Sequence, residues 1–160
     1  MMYKSIRSFG IRITCLSVLL WSGIVQAAYV APDLHHAAYG EVKVVVPLTS
    51  DDPSIWMFKL RNLNNSLNAI KSFGGKLSAR VVLYGPGIKL LSQPVDPKLK
   101  ESIDALRAAG VQLNLCNVTL KGQNLDWHEL YGVQEADIVP SGFLEVGWLG
   151  NNGWAVDPAN

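Results

Sequence analysis

The run Val42, Val44, Val45 and Val46 constrains this chain more than any other feature. β-Branched side chains are stiff at χ1 and favour extended backbone, and a nearly continuous apolar run matches a strand buried on both faces. Such a strand needs helices above and below it, because parallel sheets are covered on both sides. The residues that follow supply the first helix. Asp52 and Pro53 form a helix-start signature, with a capping carboxylate and a proline at the first helical position. Trp56, Leu60, Leu63, Leu67 and Ile70 then repeat at helical spacing to about Phe73, while Lys59, Arg61, Asn62 and Asn65 face elsewhere. Gly74 and Gly75 stop the helix.

The same sequence of signals recurs along the chain. Leu77–Tyr84 reads as a second strand, closed by the turn Gly85-Pro86-Gly87 and followed by a short helical or irregular piece, Ile88–Ser92. Asp96-Pro97 opens a helix with Leu99, Ile103 and Leu106 on one face, and Gly110 closes it. Val111–Leu115 is a third strand ending at Cys116, and Leu120–Tyr131 reads as a short helix behind it. Ala136–Val139 is a brief fourth strand, Phe143–Leu149 a last helix, and Trp154–Val156 a fifth strand. Strands alternating with helices predict a three-layer α/β/α sandwich with a parallel sheet. With 160 residues, 49% hydrophobic and 17% charged, the chain has the size and composition of one globular domain.

The amino terminus reads as an address. Lys4, Arg7 and Arg12 precede an apolar run, Ile13–Val25, and Val25-Gln26-Ala27 offers small residues for cleavage. The run is shorter than the roughly 20 residues a membrane-spanning helix needs. The expectation is a signal peptide over residues 1–27, an arm over 28–40 and a domain over 41–160, periplasmic or secreted, with no stable membrane anchor after cleavage. Three of the 14 basic residues fall in that leader, and 11 then face 13 acidic ones, so nucleic-acid binding has no electrostatic footprint. Of the two cysteines, Cys15 lies in the leader, leaving Cys116 alone in the mature chain. An unpaired cysteine in an exported protein points to a reactive thiol or an intermolecular bridge, with an inert buried cysteine as the alternative.

Ligands of open α/β sheets bind beyond the carboxyl ends of the strands. Those ends carry Thr49, Ser50 and Asp51; Gly85, Pro86 and Gly87; Cys116, Asn117 and Thr119; and Ser141 and Gly142. These residues are small, polar or able to present backbone N–H groups, so they define a cleft with Cys116 as its reactive atom. Asn117, Thr119 and a helix start would each favour the thiolate. Gly85-Pro86-Gly87 lacks the lysine and spacing of a phosphate loop. His35 and His36 are adjacent and share no face, and they have no third ligand at a recognisable spacing, so neither a metal nor a cofactor is expected. They are expected on a surface arm, with packing on a neighbouring subunit as one option for it. His128 reads as a surface histidine rather than a proton-transfer partner. Trp148 and Trp154 are large for a small terminal element and are candidates for a subunit contact.

Four stretches in this order, Lys43–Trp56, Val82–Leu91, Gly110–Leu120 and Val139–Gly142, make the chain resemble the DsrE/DsrF-like family of small sulfur-relay proteins. The resemblance runs from Glu41 to the carboxyl terminus. It implies a five-stranded, mainly parallel sheet and a homo-oligomer, trimer or hexamer. It also implies a persulfide-carrying role for the cysteine matched by Cys116, exchanging sulfur with a donor or acceptor protein or a small sulfur compound. Two other functions fit the residues: a binding module holding a small ligand or soft metal without turnover, and an oligomeric scaffold with an inert cysteine.

Overall fold

Strand β1 (Glu41–Leu48) forms where the valine run predicts it, and its last four residues are buried. A computed structural model describes Val30 and residues 33–158, so the expected signal peptide lies outside the described residues. The compact unit begins at Leu34, and residues of the arm belong to it. Tyr39 packs edge-on against Phe73 of the same chain at 6.2 Å and against His36 at 5.0 Å.

Helix α1 (Pro53–Ala69) starts as expected, with the Asp52 carboxylate accepting from the Ser54 N–H at 2.8 Å. It tightens into a 3-10 turn over Ile70–Phe73, and Gly74 ends it with φ 67. Strand β2 (Lys76–Leu83) runs into a 3-10 turn, Gly85–Leu91. Helix α2 (Pro97–Ala108) is capped by Asp96, which accepts from Lys98 and Leu99 N–H groups at 2.9 and 3.3 Å. Strand β3 (Gln112–Cys116), helix α3 (Asn117–Gly122), strand β4 (Ile138–Val139), helix α4 (Gly142–Asn151) and strand β5 (Ala155–Val156) complete the chain.

The five strands form one sheet in the order β4-β3-β2-β1-β5, every pair parallel. This is the α/β sandwich that the alternation predicts. Parallel crossovers are right-handed, so successive steps in one direction put their helices on one face, and a reversed step puts its helix on the other. Thus α1 and α2 cover the face bearing Val46, Leu48, Val81, Leu83, Leu113 and Leu115, which holds most of the core. Only the last crossover reverses, and α4 covers the opposite face, packing Leu149 and Val146 on Val45 and Val82.

Three expectations need correction. The helix expected over Leu120–Tyr131 is absent: α3 begins directly after Cys116, Asn124 turns the chain with φ 51, and one 3-10 turn follows at Trp127–Glu129. Gly122 and Asn124 weaken helix propagation, and Asp126 prefers to cap the later turn, accepting from the His128 N–H at 3.0 Å. The strand expected over Ala136–Val139 shrinks to two residues because Glu135–Asp137 forms its own 3-10 turn. Lys59, which the pattern places off the apolar stripe of α1, is not thereby in solvent: it is only 7% exposed and is paired with Asp157. Its partner lies 98 residues further along the chain, beyond any local pattern.

Candidate functional site

Cys116 ends one element and starts another. It is the last residue of β3 and the N-cap of α3, and its sulfur accepts from the Thr119 N–H at 3.4 Å. Side chains alternate along a strand, and Leu115 points into the α1/α2 core, so Cys116 faces the α4 side. There the start of α4 meets it. The Gly142 and Val118 N–H groups and the Thr119 hydroxyl lie near enough to the sulfur to favour its charged form.

Gly142 is a glycine for want of space. A Cβ at that position would lie 2.8 Å from Tyr84 Cβ, 3.0 Å from Tyr84 Cδ1 and 3.1 Å from Cys116 Cβ. Any larger residue would push the first N–H of α4 away from the sulfur. Thr119 is fixed from the other side. Its Oγ1 accepts from the Gly85 N–H at 2.9 Å, which leaves the hydroxyl proton for the sulfur. Gln123 ties the same glycine down, its Nε2 donating to the Gly85 carbonyl at 3.1 Å.

Burial pushes the Cys116 thiol up, but the donors at Gly142, Thr119 and Val118 outweigh it, and the net shift is below the ordinary thiol value. Tyr84 moves the other way. Burial raises its phenol, and the negative charge on Cys116 raises it further. The site therefore stabilises a thiolate with oriented N–H and O–H dipoles.

The expected cleft is narrower than the sequence implies. Cys116, Thr119, Gly85 and Gly142 come together. Gly87 packs beneath them on the end of β1, and Pro86 is exposed. Ser141 caps α4, accepting from the Leu144 N–H at 3.4 Å. Asn117 is the half-buried first residue of α3, and the side-chain donor to the sulfur is Thr119 rather than Asn117. Thr49, Ser50 and Asp51 follow β1, two strands away. The Ser50 carbonyl accepts from Trp56 Nε1 at 2.7 Å, and Asp51 pairs with Lys89 at 2.9 Å. Strand order reverses between β1 and β5, so Cys116 on β3 does not lie at the reversal. It becomes a site because α4 starts over it. For the same reason the residue is only 4% exposed, whereas a cleft mouth implies an open thiol.

No protein-family profile and no curated protein matches the chain. Solved structures do. The protein of unknown function MTH1491 from Methanobacterium thermoautotrophicum superposes with a TM-score of 0.63 at 21% identity, covering 74% of this chain and 99% of its own. The ychN protein from E. coli superposes with a TM-score of 0.58 at 13% identity, again covering 74% of this chain and 99% of its own. At these identities the likeness establishes the fold.

Two residues of the site escape sequence reasoning. Tyr84 lies one residue beyond β2 and looks like an ordinary strand-end aromatic. Asn114 lies on the same face of β3 as Cys116, is 6% exposed, and its Oδ1 has no hydrogen-bond partner. A polar residue within an apolar strand was the one available signal for it. His128 stacks on Trp127 at 3.7 Å and pairs with Asp126 at 2.6 Å on the exposed surface, as the sequence implies.

Replacing Thr119 with valine is expected to raise the thiol pKa and slow alkylation at neutral pH. It also orphans the Gly85 N–H, at a cost of about 1 kcal/mol. Thr119→Ser should preserve both properties. Alkylation rates against pH, with urea unfolding alongside, check this; equal rates for the valine variant and the native protein would remove Thr119 from the site.

Proposed function

We propose that the protein is an exported sulfur handler in which Cys116 alternates between thiol and persulfide. The observation that carries this reading is the seat of Cys116 at the carboxyl end of β3, where its sulfur caps α3, accepts the Thr119 N–H and lies against Gly142 at the start of α4. The sequence resemblance set out above and the shared sandwich fold agree with it. In the loading step the thiolate attacks the outer sulfur of a donor persulfide. One S–S bond forms, another breaks, and the donor leaves as a thiolate, so no external oxidant is needed. The donors that hold the thiolate are placed to hold the terminal sulfur anion. Phe143, Leu144 and Trp148 on α4 are exposed and apolar, which favours a homo-oligomer, trimer or hexamer, or a docked sulfur-transfer partner beside the site. The positively charged and apolar leader supports export.

The test is the intact mass of mature protein isolated without reductant, before and after reduction. A gain of about one sulfur atom, lost on reduction, is the expected result. The burial of Cys116 favours a second reading, an oligomeric scaffold with an inert thiol. An unmodified thiol that also resists alkylation in the folded protein would select the scaffold.

A further inference from the structure

A second site lies on the other face of the sheet. A cavity of about 380 Å³ opens between α1 and the edge strand side of β1, within the size range of small-molecule sites. Val42, Val44, Val46 and Leu63 form its apolar wall. The two ends differ in character. At one end lies Lys59, 93% buried by its 7% exposure, held by the Asp157 carboxylate and the Pro158 carbonyl. Asp157 in turn is fixed beside β1 by its N–H bond to the Val45 carbonyl at 2.9 Å. At the other end are Ile70, Phe73 and Tyr39. Along α1 the distance from Lys59 to Ile70 is about 16 Å.

We infer that this slot binds an amphiphile with an apolar body and a single carboxylate, the carboxylate taking the place of Asp157 on Lys59. Charge complementarity selects this class. A cation would have to draw Asp157 off Lys59 and leave the buried ammonium bare, and a neutral body would leave the ion pair untouched and gain nothing from it. A carboxylate exchanges one anion for another, so Lys59 is never left bare. The displaced Asp157 is 34% exposed and follows β5, a strand of two exposed residues paired only with Val44 and Val45. Its carboxylate can therefore turn to water while its N–H stays on the Val45 carbonyl. The slot and Cys116 lie on opposite faces, so this inference stands independently of the sulfur reading.

The probes are dodecanoate and dodecanol, below their aggregation limits, titrated calorimetrically into the mature protein at neutral pH. Dodecanoate is expected to bind about tenfold tighter than dodecanol, the worth of one charge-assisted hydrogen bond. Asp157→Asn removes the internal competitor and is expected to tighten dodecanoate at least about threefold while leaving dodecanol unchanged. Lys59→Met should erase the preference for the acid. If that variant does not fold, the Asp157→Asn comparison decides alone. Equal binding of acid and alcohol, or weaker dodecanoate binding by Asp157→Asn, overturns the inference. So does absence of dodecanoate binding together with an oligomer that Phe58→Glu dissociates, which would give the slot to a second copy.

Discussion

Replacing Cys116 with serine is expected to abolish sulfur loading completely and to leave the fold standing. Serine is a preferred N-cap, and its Oγ would accept from the Thr119 N–H as the sulfur does. The buried volume falls only slightly, so the change in unfolding free energy should stay within about 1 kcal/mol. The two proteins should diverge with pH. A thiol whose pKa is lower in the folded state than in the unfolded chain contributes stability above the unfolded value. That contribution is lost as pH falls through the folded pKa. Native protein should therefore gain stability over Cys116→Ser as pH rises towards the ordinary thiol range, about 8.5. Intact mass and urea unfolding across that window provide the check. A serine variant that still acquires a reducible sulfur would end the persulfide reading.

The sheet was legible because its signals are local. Val42–Val46 fixes a buried strand, and Asp52-Pro53 and Asp96-Pro97 fix helix starts, each through a hydrogen bond spanning two or three residues. Cys116 was legible by its position at a strand end. Its surroundings were not, because they come from distant parts of the chain. The Gly85 loop precedes Thr119 by 34 residues, and α4 reaches the sulfur only through the reversed crossover. The pairing of Lys59 with Asp157 was hidden for the same reason. Helical periodicity placed Lys59 off the apolar stripe, correctly for the α1/α2 core, but β5 creates a second contact on that flank. Local pattern decides which elements exist, while crossover direction decides which side chains they bring together.

Gly87→Ala is the substitution expected to do most damage to the fold. Its φ is not in the left-handed region; the constraint is space. A Cβ there would fall 2.0 Å from the Leu48 carbonyl oxygen, 2.5 Å from its carbon and 2.9 Å from the Thr49 nitrogen. These are backbone atoms at the end of β1, and no rotamer change relieves the overlap. Either β1 or the Gly85–Leu91 turn must move. Moving β1 breaks the bond from the Tyr84 N–H to the Leu48 carbonyl, 3.2 Å in the native fold. Moving the turn pulls Gly85 from Thr119 Oγ1 and from Gln123 Nε2. A loss of about 3 kcal/mol or more is expected, a large fraction of the roughly 5–15 kcal/mol that holds a domain of this size together. The neighbouring Pro86→Ala, at an exposed position, should change stability by less than about 1 kcal/mol. Any Gly87→Ala molecules that fold should also alkylate more slowly at neutral pH, because Thr119 loses its anchor and the sulfur a donor. Urea unfolding of both variants decides the point. A Gly87→Ala protein within about 1 kcal/mol of native stability would mean that the turn is not the wedge between β1 and the thiol site.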